Sequence, residues 1–420
     1  MSASSNWFEK GFDHIWLPYA QMKTMPVPAP IESTHGTQLI LPDGRCLIDG
    51  VGSWWTCVHG YNHPALIQAA TDQLTRMPHI MLGGLAHEQA YRLAPRLAAI
   101  TPGDLSQVFF SESGSVAVEV ATKIAVQYWS NAHAEQRSKF VAFNGGYHGD
   151  TFATMSVCDP AEGLHQYFAG ALADQHMVDL PDTPARLDQL DRLLATDRSI
   201  AAVLIEPRIQ GAGGMKMHAP EVLQQLRALC DRHGTLLIFD EIFTGFGRTG
   251  EMFAANLAGV TPDLMTLGKA LTGGITPLAA TLASRAVYAA FHHADEHKAL
   301  MHGPTFTGHA VACAVANASL DLFDAEPRLD QVRQIEQRLR VGLSDLADDP
   351  RVKEVRICGA VAAVELTAAF AIHAARQWFI DAGVFIRPLG QVVYLSPAYV
   401  ISDQDLDQLV AAIVDFVACQ

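Results

Sequence analysis

The chain has 420 residues, of which 49% are hydrophobic and 17% charged, and its formal net charge at pH 7 is -15. Because a single core rarely grows beyond about 250–300 residues, this length predicts one large domain and one smaller domain. The acidic balance, without any cluster of Lys or Arg, argues against a nucleic-acid partner.

Seven cysteines are spread along the chain, odd in number and without a C-x-x-C pair. This spacing indicates neither a disulfide framework nor a zinc site, and it favours a reducing compartment. The opening residues contain no apolar core of signal-peptide length, and no apolar run reaches the roughly 18 residues that a membrane helix needs. We therefore expect a cytoplasmic protein with no membrane segment.

The N-terminal part contains the proline-rich string MPVPAP and the turn LPDGR, both between Met22 and Asp49. This composition predicts an extended arm followed by a short hairpin. We assign residues 1–60 to an N-terminal segment that contributes to the small domain and to the active site.

From about Ala65 to Arg285, helical runs such as HEQAYRLAPRLAAI alternate with the short apolar strings QVFF, KFVAF, AAVLIEP, TLLIFDE and LMTLG. The alternation predicts an α/β fold in which a mostly parallel sheet lies between helices. We assign residues 61–320 to this large domain, and we expect its ligands beyond the carboxyl ends of the strands.

Within this region, the string VFFSESGSVAVEVATKIAVQYW predicts a strand that continues directly into a long helix. Gly114 and Ser115 would present backbone N–H groups and a hydroxyl at the positive end of that helix, which favours a phosphate. A simple helix cap by Ser113 or Ser115 is the alternative.

The string FNGGYHGDT follows the next predicted strand and contains Tyr147, His148 and Asp150. Tyr147 is suited to stack on the ring of a ligand, and the neighbouring glycines keep this backbone flexible. A histidine–carboxylate metal site is the alternative, although no second ligand pair of usable spacing lies nearby.

Two predicted strands end at a charged residue, TLLIFDE at Asp240 and LMTLGK at Lys269. Such residues are rarely buried without a partner, and a pyridoxal cofactor would explain both. Its aldehyde needs an amine such as that of Lys269, and its ring nitrogen stays protonated beside a carboxylate such as that of Asp240. Lys269 would also move a proton between substrate and cofactor carbons. A simple ion pair between the two residues is the alternative.

The string GFGRTG, residues 245–250, matches the G-x-G-x-x-G pattern of dinucleotide-binding folds, and Asp263 follows it. Those folds place the glycines directly after the first strand, whereas here four residues intervene and the string lies in mid-chain. An NAD-dependent dehydrogenase is therefore a weaker hypothesis.

After about Ala310, the helical string AVACAVANASLDLF leads into amphipathic helices and the strands GAVAAVEL and VVYLSP. This mixture predicts a smaller α+β domain, formed by residues 321–420 together with the N-terminal segment.

Taken together, these strings resemble the class III aminotransferases, which have fold type I among pyridoxal-phosphate enzymes. The resemblance covers nearly the whole chain, and it rests on WLPYAQM, DGVGSWWTCVHGYNHP, SGSVAVEVA, GYHGDTFATMSVCDP, QGAGGM, GFGRTG, LGKALTGG, MHGPTF and IRPLGQVVYLSP. The SWW, GPTF and YHGDT strings are most similar to the members of biotin synthesis, which convert 8-amino-7-oxononanoate to 7,8-diaminononanoate. The donor that this implies is S-adenosylmethionine, with lysine as an alternative. Another class III ω-aminotransferase, acting on an ω-amino acid or amine, is the alternative function.

The resemblance implies a site for pyridoxal 5'-phosphate in a homodimer with shared active sites. Lys269 would form the Schiff base and Asp240 would contact the ring nitrogen, with Tyr147 as the third catalytic residue. The remaining cofactor contacts that it implies are Gly114 and Ser115 at the phosphate, Tyr147 and Ile242 on the two ring faces, Pro304, and Thr305, which would reach the phosphate from the partner subunit.

The substrate contacts that the resemblance implies are Tyr19, Trp54, Trp55, Asp150, Arg248, Gly303, Arg387 and Tyr394. Arg387 would bind the acceptor's carboxylate, because a guanidinium offers it two parallel hydrogen bonds. Aromatic walls suit an aliphatic chain and a sulfonium donor. A core role for the two tryptophans and a surface ion pair for Arg387 are the alternatives. Phe243 and Arg208 depart from the family's pattern, and a phenylalanine at position 243 is expected to reshape the pocket of the cofactor ring.

Overall fold

The computed structural model describes residues 5–160 and 165–420, so part of the opening stretch of the sequence lies outside the described residues. The chain divides into two compact units. We call Pro64–Arg333 the central unit, and Met1–His63 with Gln334–Gln420 the terminal unit. The domain limits expected from the sequence, at residues 60 and 320, stay predictions.

Helices and strands alternate along much of the described chain. The helices are α1 (Ser5–Phe12), α2 (Gly52–Trp55), α3 (Pro64–Arg76), α4 (Glu88–Ile100), α5 (Gly114–His133), α6 (Phe152–Ser156), α7 (Pro184–Thr196), α8 (Pro220–His233), α9 (Ala254–Ala258), α10 (Arg285–Ala289), α11 (Ala310–Ala325), α12 (Arg328–Gly342), α13 (Ile372–Asp381) and α14 (Asp403–Ala418). The strands are β1 (Ser33–His35), β2 (Gln38–Ile40), β3 (Cys46–Asp49), β4 (Leu105–Ser111), β5 (Lys139–Phe143), β6 (His176–Val178), β7 (Ile200–Ile205), β8 (Ile209–Gln210), β9 (Lys216–Met217), β10 (Leu236–Asp240), β11 (Leu264–Leu267), β12 (Ala279–Ser284), β13 (Val352–Cys358), β14 (Val361–Leu366), β15 (Val384–Phe385) and β16 (Val392–Leu395). Among the described residues, no helix combines the length and the apolar character that crossing a bilayer requires.

The central unit is built on a sheet whose seven described strands follow the order β4-β12-β11-β10-β7-β5-β6. Strands β11, β10, β7, β5 and β6 pair in parallel, which confirms the predicted α/β fold with a mostly parallel sheet. Strand β12 runs antiparallel to both of its neighbours. Its sequence AATLAS has few of the β-branched and aromatic residues that mark a strand, and it was not predicted from the sequence.

The long helix α5 packs against this sheet through one apolar stripe. Val118, Ala121 and Ile124 are buried there in one core cluster with residues of the strands. Burying a Val or Ile side chain contributes roughly 1.5–3 kcal/mol, so this stripe fixes the helix on the sheet. Every residue of β7 is buried, the pattern of a strand covered on both faces.

The terminal unit joins the two ends of the chain in one sheet of the order β1-β2-β3-β15. Strands β2 and β3 form the hairpin predicted at LPDGR, with Ile40 opposite Cys46. Strand β15 pairs with β3 in parallel, so Val384 lies beside Ile48. The predicted strands GAVAAVEL and VVYLSP are confirmed as β14 and β16, which pair antiparallel in a second sheet with β13.

Directly after β3, the short element α2 is a left-handed turn. The φ angles of its four residues, in order, are 55°, 48°, 55° and 74°. Residues other than glycine rarely adopt this conformation, at a cost of about 1–3 kcal/mol each, so the turn needs support from its surroundings.

Asp49 supplies that support through its carboxylate. Oδ1 accepts the N–H of Val51 at 2.9 Å and of Gly52 at 3.1 Å, and Oδ2 accepts the N–H of Ser53 at 2.9 Å and the hydroxyl of Tyr61 at 2.6 Å. Burial raises the pKa of Asp49, and these hydrogen bonds oppose that rise. One buried side chain therefore satisfies three successive amides of the turn.

Candidate active site

Charged residues lie at or just beyond the carboxyl ends of three neighbouring parallel strands of the central unit. Strand β10 ends at Asp240, Glu206 follows β7 directly, and Lys269 comes two residues after β11. Because β7, β10 and β11 are adjacent and parallel, their carboxyl ends meet at one edge of the sheet. Asp240 and Lys269 were identified from the sequence but Glu206 was missed, although the same strand-end rule applied to AAVLIEP would have found it.

Hydrogen bonds from three sides fix the carboxylate of Asp240. Oδ1 accepts the N–H of Ile242 at 3.2 Å and the hydroxyl of Thr266 at 3.1 Å, and Oδ2 lies 2.7 Å from Nδ1 of buried His148. A carboxylate has about four acceptor directions, so one remains on Oδ2. His148 is thus a partner of Asp240.

The amine of Lys269 lies in an enclosed setting next to acidic groups. Burial lowers its pKa, whereas the charges of Asp240 and Glu206 act in the opposite direction. The amine is 5.8 Å from the ring centre of Phe243, and the backbone φ of Lys269 is 44°. An amine whose pKa is lowered by burial is more often neutral, and the neutral form is the nucleophile and the base.

Glu206 is buried and connects two loops at this edge. Its Oε2 accepts the N–H of Tyr147 at 2.9 Å, and its Oε1 accepts the N–H of Gly211 at 3.0 Å. Burial raises its pKa to about 7, with His148 opposing and Asp240 adding to the rise. Glu206 therefore holds the backbone of Tyr147 in place relative to the charged groups.

The start of α5 offers two backbone donors. Ser113 caps the helix, because its hydroxyl accepts the N–H of Val116 at 3.3 Å and its carbonyl accepts that of Ala117 at 3.0 Å. Within the described residues, the N–H groups of Gly114 and Ser115 have no protein acceptor. The observed cap by Ser113 therefore leaves these two N–H groups available to an anion, and the phosphate site stays a prediction.

The side chain of Ser115 is already engaged by protein. Its hydroxyl lies 2.8 Å from that of Thr151 and 3.0 Å from that of Thr154. Ile242 lies against the same helix start, since a Cβ on Gly114 would fall 2.9 Å from its side chain. The small residue at position 114 thus allows Ile242 to approach.

His165 connects two of the predicted site residues, and it was not singled out from the sequence. Its ring stacks near that of Tyr147, with centroids 6.0 Å apart and planes 24° apart. Its Nε2 lies 2.9 Å from Oδ1 of Asp150, whose side chain is half exposed. Arg248, by contrast, is almost completely buried.

The predicted site residues at 303–305 lie in a loop of the central unit, and Thr305 is the one expected to reach a partner subunit. Gly303 and Thr305 are exposed and Pro304 is partly exposed. Lys123 of α5 supports this loop by donating to the carbonyl of Met301 at 3.0 Å. Exposure leaves these residues accessible, and their role stays a prediction.

The other predicted substrate residues belong to the terminal unit. The guanidinium of Arg387 lies 4.8 Å from the ring centre of Trp54, and within the described residues it makes no ion pair. Tyr19 and Trp54 are exposed, whereas Trp55 and Tyr394 are buried with ring centroids 6.3 Å apart. Burial raises the pKa of Tyr394 to about 12. The alternative that both tryptophans belong to the core therefore fits the burial of Trp55 but not the exposure of Trp54.

The two residues that depart from the family's pattern each have a local accommodation. Phe243 is buried, and a Cβ on Gly211 would fall 2.9 Å from its ring, so the glycine makes room for it. Arg208 has a φ of 71° and donates through Nη1 to the carbonyl of His218. The string at 245–250 lies in turns ahead of the five-residue helix α9, unlike a dinucleotide-binding helix.

Comparison with known proteins gives one family over almost the whole chain. The model of the class-III aminotransferases matches residues 19–417. An adenosylmethionine-8-amino-7-oxononanoate aminotransferase of Corynebacterium glutamicum is 41% identical over 415 residues, which cover 96% of each chain. The crystal structure of an enzyme of that name from Methanocaldococcus jannaschii has a TM-score of 0.92 at 31% identity, covering 98% of this chain and 99% of that one. An omega transaminase from Pseudomonas jessenii in complex with PMP also has a TM-score of 0.92, at 27% identity and 98% coverage of both chains.

Proposed function

Because the chain belongs to the class-III aminotransferases, we propose that it transfers the amino group of S-adenosylmethionine to 8-amino-7-oxononanoate, giving 7,8-diaminononanoate in biotin biosynthesis. The observation that supports these substrates is the 41% identity over 96% of the chain to a relative named for both of them. The buried amine beside two carboxylates supports the reaction class.

The cofactor of the chain is pyridoxal 5'-phosphate, as in its family. When bound, it supplies an aldehyde that takes up amines and a ring that withdraws electrons. The residues present fit it, because Lys269 offers the amine and Asp240 keeps one acceptor direction for the ring nitrogen. The amides of Gly114 and Ser115 at the start of a 20-residue helix suit the phosphate.

Proton transfer in this proposal is the work of Lys269. Its Nζ would take a proton from the substrate carbon and deliver it to a carbon of the bound cofactor. Burial favours the neutral amine that this step needs. Asp240, held by three hydrogen bonds, keeps its charge at a fixed point without rearrangement during the reaction. Tyr147 and Ile242 are assigned to the two faces of the ring.

The expected assembly is a homodimer in which Pro304 and Thr305 complete the partner's phosphate site. Their exposure in a loop supported by Lys123 favours this arrangement. A cytoplasmic location is supported by the seven cysteines, none of which forms a disulfide within the described residues.

The substrate site of this proposal combines aromatic walls with charged ends. Arg387, whose guanidinium lies over Trp54, is assigned to the acceptor's carboxylate. The residues assigned to substrates are Tyr19, Trp54, Trp55, Asp150, Arg248, Gly303, Arg387 and Tyr394.

A single-turnover experiment tests the donor. Purified holoenzyme is mixed with S-adenosylmethionine or with lysine, and the visible absorbance of the cofactor is followed. We expect S-adenosylmethionine to bleach the band and 8-amino-7-oxononanoate to restore it, with 7,8-diaminononanoate found by mass spectrometry. Bleaching by lysine alone would refute the donor assignment.

An ω-aminotransferase acting on an amine or an ω-amino acid is the second candidate, since a solved omega transaminase has the same TM-score of 0.92. That omega transaminase is 27% identical to this chain, below the 31% of the Methanocaldococcus jannaschii enzyme, which disfavours the second candidate. Turnover with 4-aminobutyrate but not with 8-amino-7-oxononanoate would establish it instead.

A further inference from the structure

A cavity with a volume of ≈ 590 Å³ lies within the terminal unit. Its walls come from the proline-rich arm at residues 17–31, from β2 and β3, and from α13 with the segment that follows it. The volume is within the range of about 300–1,000 Å³ found for small-molecule sites. Most of the wall is apolar, including Val27, Leu39 and Ile380.

Two arginines line this cavity, and no described aspartate or glutamate does. Arg387 lies over Trp54, at 4.8 Å from the ring centre. Arg376 of α13 has a buried Nε with no acceptor among the described residues. Burial lowers the pKa of Arg376, and the nearby charge of Arg387 lowers it further. In a chain of net charge -15, two arginines with no acidic side chain among the described lining residues form a local positive site.

A carboxylate between the two guanidinium groups would offset both the burial of the Arg376 charge and its repulsion from Arg387. It would accept hydrogen bonds from each and compensate the repulsion between them. The apolar walls beyond would enclose an unbranched hydrocarbon chain. We propose that Arg376 is a specificity-determining residue that, together with Arg387, binds the carboxylate of a linear aliphatic acid whose chain lies in this cavity.

This inference deepens the proposed function and rests on it, because the proposed acceptor is a nine-carbon acid. Arg387 was expected at the acceptor from the sequence, whereas Arg376 was not. The string AIHAARQWFID gives no sign that its arginine lines a cavity, since only the packing of α13 beside the arm places it there.

The test is a calorimetric titration of the holoenzyme with nonanoate and with uncharged nonanamide. We expect Arg376→Gln to weaken nonanoate binding roughly tenfold or more, since a charge-assisted hydrogen bond is lost, and to leave nonanamide binding unchanged. Arg376→Lys, which keeps the charge but not the planar donor set, should fall between the Gln variant and the wild type. Arg45→Gln is the matched control, because Arg45 is an exposed arginine of the same unit that pairs with Asp43.

Two results would overturn the inference. One is nonanoate binding by Arg376→Gln within twofold of the Arg45→Gln control. The other is equal weakening of nonanoate and nonanamide, which would mean that Arg376 only shapes the wall.

Steady-state kinetics separate this inference from the proposed function. With 8-amino-7-oxononanoate, Arg376→Gln should raise KM by about the factor seen for nonanoate and leave kcat and the donor half-reaction unchanged. If the wild type does not turn over this acceptor while the nonanoate difference persists, the proposed function is wrong and the Arg376 site stands. If turnover occurs but KM is unchanged in the Arg376 variant, the site is wrong and the function stands.

Discussion

At the carboxyl edge of the central sheet, both oxygens of Asp240 and of Glu206 accept hydrogen bonds from protein donors. In the cavity of the terminal unit, Arg376 and Arg387 have no acidic partner among the described residues. Groups that stabilise a reacting centre gain from being fixed in advance. A group that selects a ligand can stay without a charged partner in the protein, because the correct ligand then supplies that partner. The two regions thus use charge in opposite ways.

Removing the amine from the central unit should have the largest effect. Lys269→Ala is expected to reduce kcat more than ~10⁴-fold, because the residue is both the nucleophile and the proton-transfer group. The melting temperature should stay close to that of the wild type. Lys353→Ala, an exposed lysine of the terminal unit that pairs with Glu365, is the control and should keep full activity. Turnover above one tenth of normal in the Lys269 variant would contradict the role assigned to this amine in the central unit.

The second prediction concerns how the stability of the protein depends on pH through Glu206 of the central unit. Its pKa in the folded protein is about 7, above the usual glutamate value of ~4.3, so between these values the folded state keeps a proton that the unfolded chain has lost. The contribution of Glu206 to the free energy of unfolding should therefore decrease as pH rises through this window, by on the order of a few kcal/mol, and level off above it.

The measurement is the melting temperature of the wild type and of Glu206→Gln at several pH values from about 5 to 8. We expect a smaller decrease with rising pH in the variant. Glu354→Gln, at an exposed position of the terminal unit, should behave like the wild type. Parallel curves for all three proteins would show that Glu206 does not titrate in this window.

The smallest effect is expected in the left-handed turn of the terminal unit. Asp49→Asn keeps one acceptor oxygen for the N–H groups of Val51 and Gly52, but its NH2 group replaces the oxygen that accepts from Ser53 and Tyr61, which costs about 1–3 kcal/mol. The melting temperature should decrease by a few degrees, and KM for the acceptor should increase several-fold as Trp54 shifts. Asp43→Asn, at an exposed turn, is the control. An unchanged melting temperature would show that Asp49 does not stabilise the turn.

The sequence predicted the central region well because that region is built from regular elements. Apolar strings became β5, β7, β10 and β11, and the strand-end rule placed Asp240 and Lys269 at one edge. The partner of Asp240 could not be predicted, because His148 lies 92 residues away and the contact depends on how β5 and β10 are ordered in the sheet.

The terminal region was predicted less completely because its geometry is irregular and non-local. Three successive non-glycine residues with positive φ contradict every local preference of Ser and Trp. Arg376 reaches the cavity because β15, near the C-terminus, pairs with β3, near the N-terminus. Local patterns do not specify such a pairing between distant segments.

The strand order of the central sheet has a consequence for durability. Strand β10 is the fourth of seven described strands and β11 the third, so neither is an edge. Interior strands open only when most of the sheet opens, and their amides should be among the last to exchange with deuterated solvent. Asp240, the last residue of β10, is therefore expected to keep its position until the sheet itself unfolds.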